Sequence, residues 1–105
     1  MELQEQTNGY GRDLRTVKLR LSASQREARV NAVTSNHIQT LDPSVPLYRS
    51  VGKAFVFADR QEIDERLEKE IGEITKSQRD LTDRQEYLER RIASNSTNMQ
   101  DLLKE

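Results

Sequence analysis

The side chains able to do acid–base or metal chemistry in this chain are one histidine, His37, and eighteen carboxylates; cysteine is absent. A zinc-type site needs several imidazole or thiolate donors at close spacing, and His37 has no such neighbour. A solvated or capping histidine is the expectation. The carboxylates recur at helical spacing with a base four residues on: Glu62 to Arg66, Glu65 to Lys69, Asp80 to Arg84 and Glu86 to Arg90. Catalytic carboxylates need a pocket that drives two pKa values apart, and a wetted helix face supplies none. No glycine-rich phosphate loop is present. The chain is therefore expected not to be an enzyme, with no catalytic, cofactor-binding or metal residues.

One charged cluster could serve nucleic acid. Arg12, Arg15, Lys18, Arg20, Arg26 and Arg29 form a basic stripe, but no aromatic side chains interleave with them. The net charge is −1, which gives no global attraction to polyanions or anionic membranes. A solvated coil face is the better account, so neither nucleic acid nor membrane is an expected partner. The segment Met-Glu-Leu-Gln-Glu-Gln lacks the basic and apolar regions of a secretory signal, and a cytosolic or nuclear location is expected. Absence of cysteine fits a reducing compartment.

What remains is non-covalent chemistry, and the elements that position it are helical. Leu, Ile, Val and Phe number 24 of the 105 residues, little material for a globular core of that length. A long helical pair needs only a narrow apolar seam. Leu67, Ile71, Ile74, Gln78, Leu81, Gln85, Leu88, Ile92, Asn95, Met99 and Leu102 alternate at spacings of four and three. That is a sustained heptad seam. Asp59 with Glu62 marks its start as an Asp form of the capping box. The spacing predicts a coil arm over 60–104, and a helix of that length would reach roughly 65 Å.

Leu3, Tyr10, Val17, Ser24, Asn31 and Ile38, interleaved with Leu14, Leu21 and Ala28, repeat the period over a first arm at 1–33. Gly9 and Gly11 each cost about 1 kcal/mol inside a helix, so fraying or a kink is expected beside Tyr10. The Thr34-Ser35-Asn36 cluster reads as a cap, predicting a separate short helix at 35–41. Pro43 and Pro46, the two prolines, end helical structure there. Two seams on either side of a break predict an antiparallel helical hairpin, residue i facing about residue 105 − i. An intermolecular coiled coil satisfies the same pattern.

Between the arms, residues 47–58 are rich in β-branched and aromatic side chains around Gly52, predicting one short β-hairpin. If the strand were continuous, Val51, Lys53, Phe55 and Phe57 would share a face. A lone two-stranded hairpin is marginal in water and leaves its edges unpaired. Strands from other subunits would complete it.

The run Leu47-Tyr48-Arg49-Ser50-Val51-Gly52-Lys53-Ala54-Phe55-Val56-Phe57 resembles the beta class of the prefoldin family, and the likeness extends through Glu62, Leu67 and Tyr87-Leu88-Glu89-Arg90. The resemblance implies a mainly α fold, a long antiparallel coiled coil joined by one β-hairpin, as a single domain over 1–105. It also implies a heterohexamer of two alpha-class and four beta-class subunits. In that assembly the hairpins merge into a double β-barrel, and coil tips hold unfolded actin and tubulin for the cytosolic chaperonin without nucleotide. On this reading Tyr48, Val51, Gly52, Phe55 and Phe57 form the assembly surface. Leu3, Tyr10, Met99, Leu102 and Leu103, near the coil tip, would contact clients; Met suits such adaptable capture. The alternative is a structural coiled-coil adaptor without client-holding activity.

Overall fold

The computed structural model describes residues 2–104; Met1, first residue of the expected first arm, and Glu105 lie outside the described residues. Helix α1 (Glu2–Thr40) is followed by strands β1 (Leu47–Val51) and β2 (Ala54–Ala58) and by helix α2 (Arg60–Lys104). Two long helices joined by a small antiparallel hairpin are the mainly α class that the heptads and the central β-formers predict. The chain divides into two units: Met1–Gln25 with Lys76–Glu105, and Arg26–Thr75.

In the first unit the heptad positions are the ones withdrawn from water. Val17 and Ser24 on α1 and Leu88 and Asn95 on α2 are buried, Leu88 completely. Leu14, Leu21, Gln78, Leu81, Gln85 and Ile92 are half-buried beside them. The expected break at Gly9 and Gly11 does not occur, since α1 is helical from Glu2 onward. Tertiary contact offsets part of the glycine cost. Arg91 Nη2 donates to the Tyr10 hydroxyl at 3.4 Å, and its guanidinium lies 5.7 Å from the ring centroid. That cation–π contact anchors the residue between the two glycines. The Tyr10 hydroxyl, accepting this bond, also favours the charged guanidinium and raises the pKa of Arg91.

Asn95 is 4% exposed, and its Nδ2 has no hydrogen-bond partner. An unpaired buried amide costs about 1–3 kcal/mol. Asn95→Leu is therefore expected to stabilise the chain by about 1–3 kcal/mol, read as a higher midpoint in urea. An unchanged or lower midpoint would show that the amide has a partner in solution.

The second unit contains the hairpin and its helical supports. Asn31 Nδ2 donates to Glu70 Oε2 at 3.3 Å, and Arg60 Nη2 donates to the carbonyls of Leu41 and Asp42 at 3.1 and 3.3 Å. Advance along α1 matches retreat along α2, so these helix segments are antiparallel. The pairing differs by about one turn from the register read in the sequence: Asn31 meets Glu70 rather than Ile74. Connector length explains the offset. Six residues, 41–46, join α1 to β1, whereas Asp59 alone joins β2 to α2.

Arg60 fastens this asymmetric junction by donating to the carbonyls of the two residues that follow α1. Removing it by Arg60→Met should cost about 1–2 kcal/mol and speed amide exchange in the last turn of α1. Equal exchange rates would exclude the clamp. The longer connector is itself a turn: Val45 N–H donates to the Asp42 carbonyl, and Asp42 Oδ1 accepts from the Ser44 amide and hydroxyl. These bonds hold the Asp42 carboxyl below its ordinary pKa, with Arg60 adding to the effect.

Two local expectations are corrected in this unit. The separate helix at 35–41 does not form, because α1 runs unbroken to Thr40. The Thr34 hydroxyl donates one turn back to the Val30 carbonyl at 2.8 Å instead of capping a new helix, and Ser35 and Ile38 continue the seam. On α2, Ile71, expected in the seam, is 36% exposed, and the neighbouring Glu70 reaches across to Asn31. Buried Asn31 needs a polar partner, and Glu70 supplies it. Among the described residues the i,i+4 ion pair that forms is Arg66–Glu70 at 3.5 Å, not one of the four acid-first pairs. At the start of α2, Ile63 N–H donates to the Asp59 carbonyl, which makes Asp59 the N-cap.

Candidate functional site

The hairpin is built by a two-residue turn. Leu47 pairs with Ala58, Tyr48 with Phe57, Arg49 with Val56, Ser50 with Phe55 and Val51 with Ala54. Gly52 has φ +61°, and no other described residue has a positive φ. Positive φ at the first central residue alone is the type II′ arrangement, which suits the twist of paired strands and favours glycine there.

Directly opposed residues share a face. Tyr48, Ser50, Phe55 and Phe57 therefore lie on one side, and Leu47, Arg49, Val51, Ala54, Val56 and Ala58 on the other. Val51 is corrected by this register. The turn interrupts the strand, so Val51 opposes Phe55 and Phe57 instead of joining them, and Lys53 belongs to the turn. Tyr48 and Phe57 meet edge-to-face, with centroids 6.1 Å apart and planes at 81°. Such a pair adds about 0.5–1.5 kcal/mol beyond its burial.

Only the helix-proximal end of this sheet is covered. Ala58 is buried and Leu47 half-buried. Phe55 is 77% exposed, Phe57 66% and Tyr48 58%. Val51 and Val56 are exposed on the opposite face. Both faces and both edges thus present apolar or unpaired groups. Exposed apolar patches of this kind mark interaction surfaces. Val56 was missed by the sequence reading; the alternation that selected Phe55 and Phe57 excluded it, and only the register places it beside Val51.

The residues expected at the coil tip belong to the other unit. Leu3, Tyr10 and Met99 are half-buried, whereas Leu102 is 49% and Leu103 87% exposed. Tyr10 is already engaged by Arg91. The freely presented pair is Leu102 and Leu103. His37 lends its carbonyl to the Thr40 hydroxyl at 2.7 Å. Among the described residues, no cluster of three or more His, Cys, Asp or Glu side chains could hold a metal ion. No described helix is long and apolar enough to cross a membrane.

Two long seamed helices joined by a two-stranded hairpin that leaves its own faces exposed define the class of fold. The model of the prefoldin subunit family matches residues 1–105, and the chain belongs to that family. Its single hairpin makes it a beta-class subunit. It is 19% identical over 103 residues to a protein named probable prefoldin subunit 1 from Dictyostelium discoideum, covering 98% of this chain and 90% of that protein. It also resembles the crystal structure of the prefoldin beta subunit from Thermococcus strain KS-1. There the TM-score is 0.89 at 17% identity, with 99% of this chain and 91% of that one covered. The family is a non-enzymatic chaperone family whose subunits oligomerise with one another.

Proposed function

We propose that this chain is one of four beta-class subunits in a heterohexamer with two alpha-class subunits, holding unfolded polypeptides of the actin and tubulin class. The hexamer releases them to the cytosolic chaperonin without nucleotide. The observation that carries the assembly step is the hairpin, with Phe55, Phe57 and Tyr48 more than half exposed. Neighbouring strands would pair its edges and cover both faces, joining Val51 and Val56 to the interface along with the aromatic side. Gly52 keeps the turn tight enough for the strands to enter a closed barrel.

Client holding rests on the apolar groups near the chain ends. Leu102 and Leu103 offer exposed, non-directional contact, and Met99 and Leu3 can adapt from half-buried positions. Weak contacts of this type suit promiscuous capture. Deleting residues 99–105 is expected to preserve assembly with an alpha-class partner and to weaken suppression of aggregation of denatured actin. Undiminished suppression by the truncated complex would remove these residues from the client site. A cytosolic or nuclear location follows from the same reading.

A further inference from the structure

We propose that, without alpha-class partners, the free edge of β2 docks onto the same edge of a second copy of this chain, forming a two-fold antiparallel sheet centred on Val56. This goes beyond assembly with other subunits, because it concerns the chain alone. Strand β2 reads Ala54-Phe55-Val56-Phe57-Ala58, an uncharged palindrome. A two-fold interface needs a surface complementary to itself. About Val56 the palindrome provides one, setting Ala54 against Ala58, Phe55 against Phe57, and Val56 against its own copy.

Backbone geometry selects the same centre. In a two-residue hairpin the closing pair, here Val51 and Ala54, exchanges hydrogen bonds, and bonded and non-bonded pairs then alternate. Ala54, Val56 and Ala58 therefore direct their N–H and C=O groups at β1. Phe55 and Phe57 direct theirs outward. Pairing two copies about Val56 sets Phe55 opposite the copy's Phe57 as a bonded pair, twice over, and satisfies every outward group of both phenylalanines. Opposed residues share a face, so Phe55 and Phe57 of both chains form one row continuous with each Tyr48–Phe57 edge-to-face pair. Those phenylalanine rings are 77% and 66% exposed in the single chain.

The other edge refuses the same arrangement. On β1 the outward groups belong to Tyr48 and Ser50, and the equivalent axis passes through Arg49. Two guanidinium groups would then face each other at the closest pair spacing, where like charges destabilise. Copies accordingly meet at β2 and leave β1 free.

The absence of cysteine makes the test clean. A non-bonded antiparallel pair has Cα atoms about 4.5 Å apart, within disulfide range. The Val56→Cys chain in a glutathione redox buffer is expected to cross-link to a covalent dimer, while Ser50→Cys on β1 forms no covalent dimer. In sedimentation equilibrium the parent chain is expected to be a reversible dimer. Val56→Lys should raise its dissociation constant about tenfold or more, with helical circular dichroism retained. A parent chain that stays monomeric, equal cross-linking at both positions, or a dimer indifferent to Val56→Lys each overturns the proposal. Co-assembly with an alpha-class subunit is scored separately on the parent chain, so failure of self-pairing leaves that reading standing.

Discussion

Phe55→Ser combined with Phe57→Ser is expected to weaken co-assembly with an alpha-class partner by about a hundredfold or more while leaving the isolated chain helical. Both rings are mostly in water in the single chain, so their loss removes little from its own stability. In a completed barrel each ring would be buried, a transfer that stabilises by about 1.5–3 kcal/mol per side chain. Losing two such contributions weakens association by about a hundredfold or more. Val33→Ser is the matched control: Val33 is 68% exposed on α1, outside the strands, and its replacement is expected to leave assembly intact. Titration of labelled alpha-class subunit, with far-ultraviolet circular dichroism of each variant, separates a failed interface from a failed fold. Parental affinity in the double variant would move the interface off this face.

Leu88→Ala produces the largest expected loss of stability in the chain. Leu88 is fully buried, and it stands in a seam that also contains Ser24 and Asn95, which bring little apolar area. Removing its methyl groups leaves a cavity and costs about 2–5 kcal/mol. For a domain of this size that lowers the melting midpoint by ~10 °C or more. Leu103→Ala is the contrast, since Leu103 is 87% exposed and surface changes stay within about 0.5 kcal/mol. A Leu88→Ala midpoint close to that of Leu103→Ala would show that the coil collapses to fill the space.

Period and composition made the helices and the hairpin legible. A heptad seam survives polar intrusions such as Gln78 and Gln85, because the remaining positions still point inward. Legibility failed where an outcome depends on residues distant in sequence. Nothing local to Ile71 says that the neighbouring Glu70 will pair with Asn31 across the helices. Gly9 and Gly11 cost helix propensity, but the contact that offsets part of it comes from Arg91, eighty-one positions from Tyr10. Thr34 has the chemistry of a cap and spends its hydroxyl on its own helix. Within the candidate site the residue types were legible and the faces were not. One turn of two residues moved Val51 to the other side of the sheet and brought Val56 to its side.

The central claim is that the hairpin becomes complete only when neighbouring strands join it, and its most direct test is amide hydrogen exchange at Tyr48 and Ser50. Their N–H groups line the outer edge of β1, which self-pairing through β2 leaves open. Fast exchange in the isolated chain and strong protection after mixing with an alpha-class subunit is the result expected. Strong protection of both amides in the chain alone, unchanged by the partner, would contradict it.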